Sequence, residues 1–268
     1  MYYNDLPRRS LNLPTLLLVL FLLAIPGAWQ GTHGQPNPQR SPAETVREFY
    51  KTMREKRFRE AFALTIYKPA LEGLTDAEFE DLRTDFEKMA AAIPEKIEVS
   101  GEQTSGDMAT VFVKIADADK TAQPEPVGLI RDAGGSWIIG DRESAGIVKT
   151  AGKRFFFEAR IETHHNEVQS MLQRISLAQI AYASQHDNRF SGLPALITAG
   201  LVPKDIETPD TTGYTFHITV ANDGKSWTAG AEPVRYGRSG RLSYLLDSSG
   251  IRSADVGGKP LVLPEAKN

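Results

Sequence analysis

Cysteine does not occur anywhere in the 268 residues. Its absence removes disulfide staples, zinc–thiolate centres, thiol nucleophiles and the acylated cysteine of a lipoprotein. It leaves the compartment open, because many exported proteins do without cysteine. An excess of one charge is missing too: 31 Lys and Arg stand against 34 Asp and Glu, a net charge of −3. Nucleic-acid binders carry a basic stripe, so no nucleic-acid partner is expected. The densest basic stretch, Arg54, Lys56, Arg57 and Arg59, is interleaved with Glu55 and Glu60 and reads as a solvated helix face.

Reaction signatures are missing as well. No serine stands in a Gly-x-Ser-x-Gly elbow, and there is no glycine-rich phosphate loop. Of the five histidines, His33 lies in a polar stretch, and His164 and His165 are neighbours on a helical segment. Neighbours on a helix point about 100° apart, and neither has a His or Glu four residues on, the spacing of metal-binding helices. His186 follows a helix end, where the helix dipole favours a positive ring, and His217 sits in a strand-like run. The carboxylate pairs Glu78/Asp81 and Asp85/Glu87 fall on the polar face of a helix. Asp117-Ala118-Asp119 lacks the glycine and distal glutamate of a calcium loop. The chain is therefore expected not to be an enzyme, with no catalytic residue, metal ligand or cofactor assigned.

Long apolar runs are scarce. Leu16–Ile25 is uninterrupted for ten residues, against the ~20 that a membrane-spanning helix needs. Arg8 and Arg9 precede it, and Pro26-Gly27 and a polar Gly/Pro/Gln stretch follow. A basic flank and a short apolar core make a signal sequence. Residues 1–30 are read as a cleaved signal peptide or an uncleaved signal anchor. Either version places the rest outside the cytoplasm, because the arginines hold the N-terminus inside.

What is present is ordinary globular material, 41% hydrophobic and 24% charged, enough for one or two domains at this length. Residues 31–41 read as a flexible tether. Ser41-Pro42-Ala43-Glu44 is a capping box with proline in the first turn, opening a helix with Val46, Phe49, Tyr50 and Met53 on one stripe. A short helix over 59–65 follows, then a third from Thr75-Asp76-Ala77-Glu78 to Ala92, stopped by Pro94. Strands are expected over 96–102, 108–115, 126–131 and 136–140, the last two joined by Asp132-Ala133-Gly134-Gly135. Gly146–Lys153 reads as a junction. A long helix over 155–185 comes next, its apolar stripe running through Ile161, Val168, Leu172, Ile175 and Ala178. Short elements over 193–199 lead to a meander over 214–220, 226–233, 241–247 and 251–253, with turns at Asn222-Asp223-Gly224 and Asp247–Gly250. Helices followed by strands, twice over, predict an α+β chain of two domains.

Two resemblances attach to these patterns. PAETVREFYKTMREKRFREAFAL and GLIRDAGGSWIIGDR resemble the nuclear transport factor 2-like (cystatin-like) family. That resemblance implies a cone-shaped domain of three helices and an antiparallel sheet over 42–148. The run MLQRISLAQIAYASQHDNRFSGLPALITAGLV, followed by TTGYTFHITV, SWTAGAEPV and LSYLLDSSGIR, resembles the heads of type IV pilins and type II secretion pseudopilins, especially of acidobacterial type. It implies a pilin-like head, one long helix on an antiparallel meander, over 154–260. The processing motif of pilins is absent, and the helix carries Glu158, Arg160, Glu162 and Glu167. It is not expected inside lipid, since each charge at the bilayer centre costs ~3 kcal/mol or more. In place of the carboxylates that hold calcium in major pseudopilins stands the basic loop Arg235–Arg241.

The reading that results is a non-enzymatic exported envelope protein, periplasmic or held by a single N-terminal anchor, acting through protein–protein contacts. Two alternatives stay open: a small-ligand-binding or enzymatic cone domain with the head as spacer, and an accessory part of a type II secretion or type IV pilus system. Tyr50, Tyr67 and Trp137 are the candidate pocket residues, because cone-shaped relatives often leave a cavity between helices and sheet. Phe155, Phe156 and Phe157 are candidates for a buried junction or partner site. Arg235, Arg238 and Arg241 are candidates for meeting anionic headgroups or an acidic partner.

Overall fold

The computed structural model of the chain describes residues 40–115 and 124–262. The Leu16–Ile25 run, His33, most of the 31–41 tether and Asp117-Ala118-Asp119 lie outside them. The fold is mixed α+β, with two antiparallel four-stranded sheets and several helices. Among the described residues no helix is long and apolar enough to cross a membrane. The chain divides into two units, one ending at Phe156 and the other beginning at Phe157.

In the first unit, α1 (Pro42–Arg54) starts where its cap dictates. Ser41 Oγ accepts the Glu44 N–H at 3.2 Å, and the Glu44 carboxylate accepts the Ser41 N–H at 2.7 Å. Val46, Phe49 and Met53 are buried along one stripe. Two short helices, α2 (Phe58–Phe62) and α3 (Lys68–Glu72), lead to α4 (Asp76–Ala91), which opens on the same device built from Thr75 and Glu78. Phe86 of α4 is the hub of a ring cluster. The centroids of Phe58, Phe62, Phe79 and Phe156 lie 5.7, 4.9, 5.6 and 5.1 Å from its own. These tilted and edge-on contacts suit the ring quadrupole, positive edge to negative face.

The sheet is a meander, β1 (Ile97–Ser105), β2 (Met108–Ile115), β3 (Glu125–Arg131) and β4 (Trp137–Ile139), paired in that order. Alternate residues of β2 and β3 point inward: Ala109, Val111 and Val113 join Val127 and Leu129, and Val46 and Trp137 complete the cluster. The β3–β4 turn is tied by Asp132, whose carboxylate accepts the N–H groups of Gly134 at 2.9 Å and Ser136 at 2.8 Å. Residues 64–66 dock on β4 through Ile139 N–H to Leu64 O at 2.8 Å and Ile66 N–H to Ile139 O at 2.9 Å. Glycine is required beside them: Gly140 has φ +134, and a Cβ there would lie 2.5 Å from Ile66 Cγ2.

The segment read as a junction, Gly146–Lys153, is instead helical. It falls in α5 (Arg142–Ala151) and a 3-10 turn over Gly152–Arg154. Asp141 caps α5, accepting the Ser144 N–H at 2.8 Å. The small and β-branched residues of α5 gave no apolar stripe long enough to see. α3 was also unforeseen, being only five residues.

α6 (Phe155–Gln185) is 31 residues long, and its first two residues count with the first unit. In the second unit Val168, Leu172 and Ile175 of α6 pack on Tyr214, Phe216, Ala229, Ala231, Tyr244 and Leu246. Those come from the meander β5 (Tyr214–Val220), β6 (Trp227–Pro233), β7 (Leu242–Asp247) and β8 (Gly250–Asp255), reached through α7 (Leu193–Thr198) and a 3-10 turn at Lys204–Glu207. The alanines of β6 leave room for the two tyrosine rings, whose centroids are 6.0 Å apart. Gln179 is fully buried on α6 and satisfied by one residue: its amide donates to Ser191 O at 2.6 Å and accepts the Ser191 N–H at 3.1 Å. α6 stops at Asp187 and Asn188, both left-handed (φ 51 and 56), with the Asn188 N–H returning to Ala183 O at 3.0 Å.

Phe86→Ala is expected to destabilise the protein by about 3–5 kcal/mol, because the hub ring leaves a cavity its neighbours cannot fill. Urea unfolding followed by circular dichroism measures this; a loss under about 1 kcal/mol would show that the cluster can collapse.

Candidate functional site

The connection from β6 to β7 brings three arginines, a serine and a tyrosine against two histidines and a glutamate of α6. It folds on itself first. The Gly237 N–H donates to Gly240 O and the Ser239 N–H to Arg235 O, both at 2.8 Å, and Ser239 Oγ accepts the Arg235 N–H at 3.0 Å. α6 then pins it. His164 Nδ1 donates to Ser239 O at 2.8 Å, which fixes the proton on Nδ1, since a carbonyl only accepts. His165 does the opposite: its Nε2 accepts the N–H groups of Arg241 at 3.2 Å and Leu242 at 3.4 Å. Glu158 takes the Arg241 guanidinium in a bidentate pair at 2.7 and 2.6 Å, the strongest geometry open to these groups. Arg238 lies over the Phe157 ring, 4.0 Å from its centroid.

Close backbone approach makes this possible. A Cβ on Gly213, which has φ +67, would fall 2.7 Å from His164 Nδ1. Tyr214 Oη donates to Leu242 O at 2.8 Å, and burial, then the nearby Tyr244, pushes its pKa up. Burial, then His164 and Arg241, holds the His165 ring down to a pKa of about 4. His165 is thus a neutral acceptor at ordinary pH. Val234 and Tyr236 stand about half exposed on the outer side of the loop, with Tyr236 Oη 3.0 Å from the Asp255 carboxylate.

The candidate residues from the sequence separate into different places. Tyr50 and Trp137 join the core cluster beneath the first sheet, and Arg131 covers the Trp137 ring at 4.2 Å. Tyr67 sits elsewhere, with Phe155 at 5.2 Å and Phe156 at 6.1 Å between centroids. Burial, then Asp141, raises the Tyr67 pKa to about 12; burial, then Glu125, raises that of Tyr50. Both phenols stay protonated. Phe155 and Phe156 belong to the first unit, and Phe157 to the second. Of the three arginines, Arg241 is neutralised by Glu158, Arg238 stacks on Phe157, and Arg235 is bonded through its backbone within the loop.

The other described histidines are also in structural contacts. His186 stacks on Tyr182 at 3.8 Å, and His217 Nδ1 lies 3.2 Å from Glu232 Oε2 across β5 and β6. Among the described residues no group of three or more His, Asp or Glu side chains is arranged to hold a metal ion. No local pattern signals the pairing of His164, His165 and Glu158 with the loop, because the partners are 75 or more positions apart. Comparison with protein-family models, with curated proteins and with solved structures returned no match.

The histidine contacts carry a pH dependence of definite sign. The His165 pKa falls from the ordinary 6.5 to about 4 in the folded chain. The unfolded chain therefore binds the proton first as pH drops. The stability due to the neutral ring is complete above about pH 6.5 and is lost as pH falls to about 4. For a half-buried ring that loss is expected to be roughly 1–2 kcal/mol. His165→Gln keeps an acceptor and removes the titration, so its urea midpoint is expected to fall less steeply than the parent's between those pH values. Parallel slopes would remove His165 from the account.

Proposed function

We propose that the protein is a non-enzymatic exported envelope protein that works by protein–protein contact, with the 234–241 loop as its contact surface. The observation that carries this reading is where the reactive side chains go. His164, His165, Glu158 and Arg241 hold a loop in place, and the loop exposes Val234 and Tyr236 with Arg235 between them. A loop fixed on a rigid scaffold is a usual place for recognition, and tyrosine is enriched at interface cores. The Arg8–Arg9 pair and the Leu16–Ile25 run support export.

On this reading the first unit, helices followed by a four-stranded meander, is a cone-shaped module resembling nuclear transport factor 2. The second, a long helix on a meander, is a pilin-like head. The charges along α6, with Arg241 drawing Glu158 into an ion pair, favour a head used as an interaction module over a fibre subunit. The core positions of Tyr50 and Trp137 weigh against a ligand pocket at those residues.

A photo-crosslinking amino acid placed at Tyr236 in intact cells is expected to trap a defined envelope protein. The same group at Met108, which is equally exposed on the first unit, is expected to trap none. His164→Ala, which loosens the loop, is expected to cut the adduct several-fold. Equal adducts at both positions, or recovery of the chain in the cytoplasmic fraction, would overturn the reading.

A further inference from the structure

The second sheet splits at one end. The β5–β6 ladder runs out to Val220 and Trp227, whereas the β6–β7 ladder stops at Ala229 and Leu246. The β5–β6 and β7–β8 hairpins therefore part before their tips, and a cleft of about 790 Å³ lies between them. That volume falls in the ~300–1,000 Å³ range of small-molecule sites. One wall is aromatic. Phe190 is anchored by its N–H to Gly224 O at 2.8 Å, and its ring is 6.2 Å from that of Trp227 at an angle of 59°. Ser176, Thr219, Ser226, Thr228 and Ser248 bring hydroxyl-bearing side chains to the rest of the lining, beside Ala221, Leu246 and Gly250. Lys225 supplies the cation at the mouth, while the Asp247 carboxylate is already engaged by Arg252 and by the Ser249 N–H.

We propose that this cleft binds a saccharide that carries a carboxylate. The chemistry selects among ligand classes. A wholly apolar ligand would strand the hydroxyls, each of which needs a partner once water is displaced. A nucleotide would need a nest of N–H groups or several cations for its phosphates, and the lining offers one lysine. An extended peptide binds along a strand edge, and the open edge of β6 here is only Trp227 and Thr228. A pyranose has one face of C–H groups, positive enough to lie on the negative face of an indole. Its rim of hydroxyls both donates and accepts, as Ser and Thr do. Lys225 then places the acid group of a uronic or similar sugar. The inference rests on the cleft alone and holds wherever the chain resides.

The test uses the purified full chain on an array of immobilised neutral and acidic glycans, uronic and muramic acids included. Retention is expected on acidic glycans, falling about tenfold when their carboxylates are methyl-esterified, the size of one lost charge pair. Lys225→Ala is expected to erase the difference between acid and ester. Ser248→Glu, at an exposed turn, is expected to repel the acid about tenfold more than the ester. Trp227→Ala is expected to abolish retention of both, with circular dichroism confirming that it folds. No preference for acidic over neutral glycans, or a preference untouched by Lys225→Ala and Ser248→Glu, would overturn the proposal. An array signal replaced by peptide binding at the same residues would do so too.

Discussion

With no disulfide to draw on, Phe86 and the four rings around it close the first unit, and Tyr214 and Tyr244 against the alanines of β6 close the second. Ring burial constrains what surrounds it. A large flat side chain fits a sheet face best where its neighbours are small, and Ala231 stands opposite Tyr244 on one side and Phe216 on the other. A tyrosine buried that way must also place its hydroxyl, and Tyr214 Oη does so on Leu242 O, at the start of β7. That bond ties the start of β7 to β5, in addition to the ladders that pair β7 with β6 and β8.

Electrostatics then finishes what packing begins. The loop before β7 carries three arginines, yet the helix it meets answers them with Glu158 and a phenylalanine face, and spends two histidines on backbone groups. The outcome is a basic-looking segment with much of its charge already matched. A ligand seeking bare cations would find less here than the string RYGRSGR suggests. What the loop exposes is a mixed face, Val234 and Tyr236 with Arg235 between them.

Much of the secondary structure was legible because it depends on local chemistry. Both capping boxes, the run of α6 from Phe155 to Gln185 and the strands of each meander are written in short-range patterns. The helix α5 was not, because its start is signalled only by Asp141 reaching Ser144, and Gly146 and Thr150 blur its stripe. The site was less legible still. Tyr50 and Trp137 share a cluster while Tyr67 does not, because Tyr67 packs against the rings of Phe62, Phe155 and Phe156 instead. His164 and His165 read as an unhelpful neighbouring pair because helix geometry turns them apart. That divergence is what lets one reach Ser239 and the other the backbone of Arg241.

Those two adjacent rings hold opposite roles, a donor at His164 and an acceptor at His165. The two positions therefore accept different replacements, though they are neighbours in the chain. A side chain that only donates keeps the contact at 164 and loses it at 165, where two N–H groups meet one lone pair. A swap of tautomers would break both contacts at once. The doublet is better regarded as two unrelated letters than as a histidine motif.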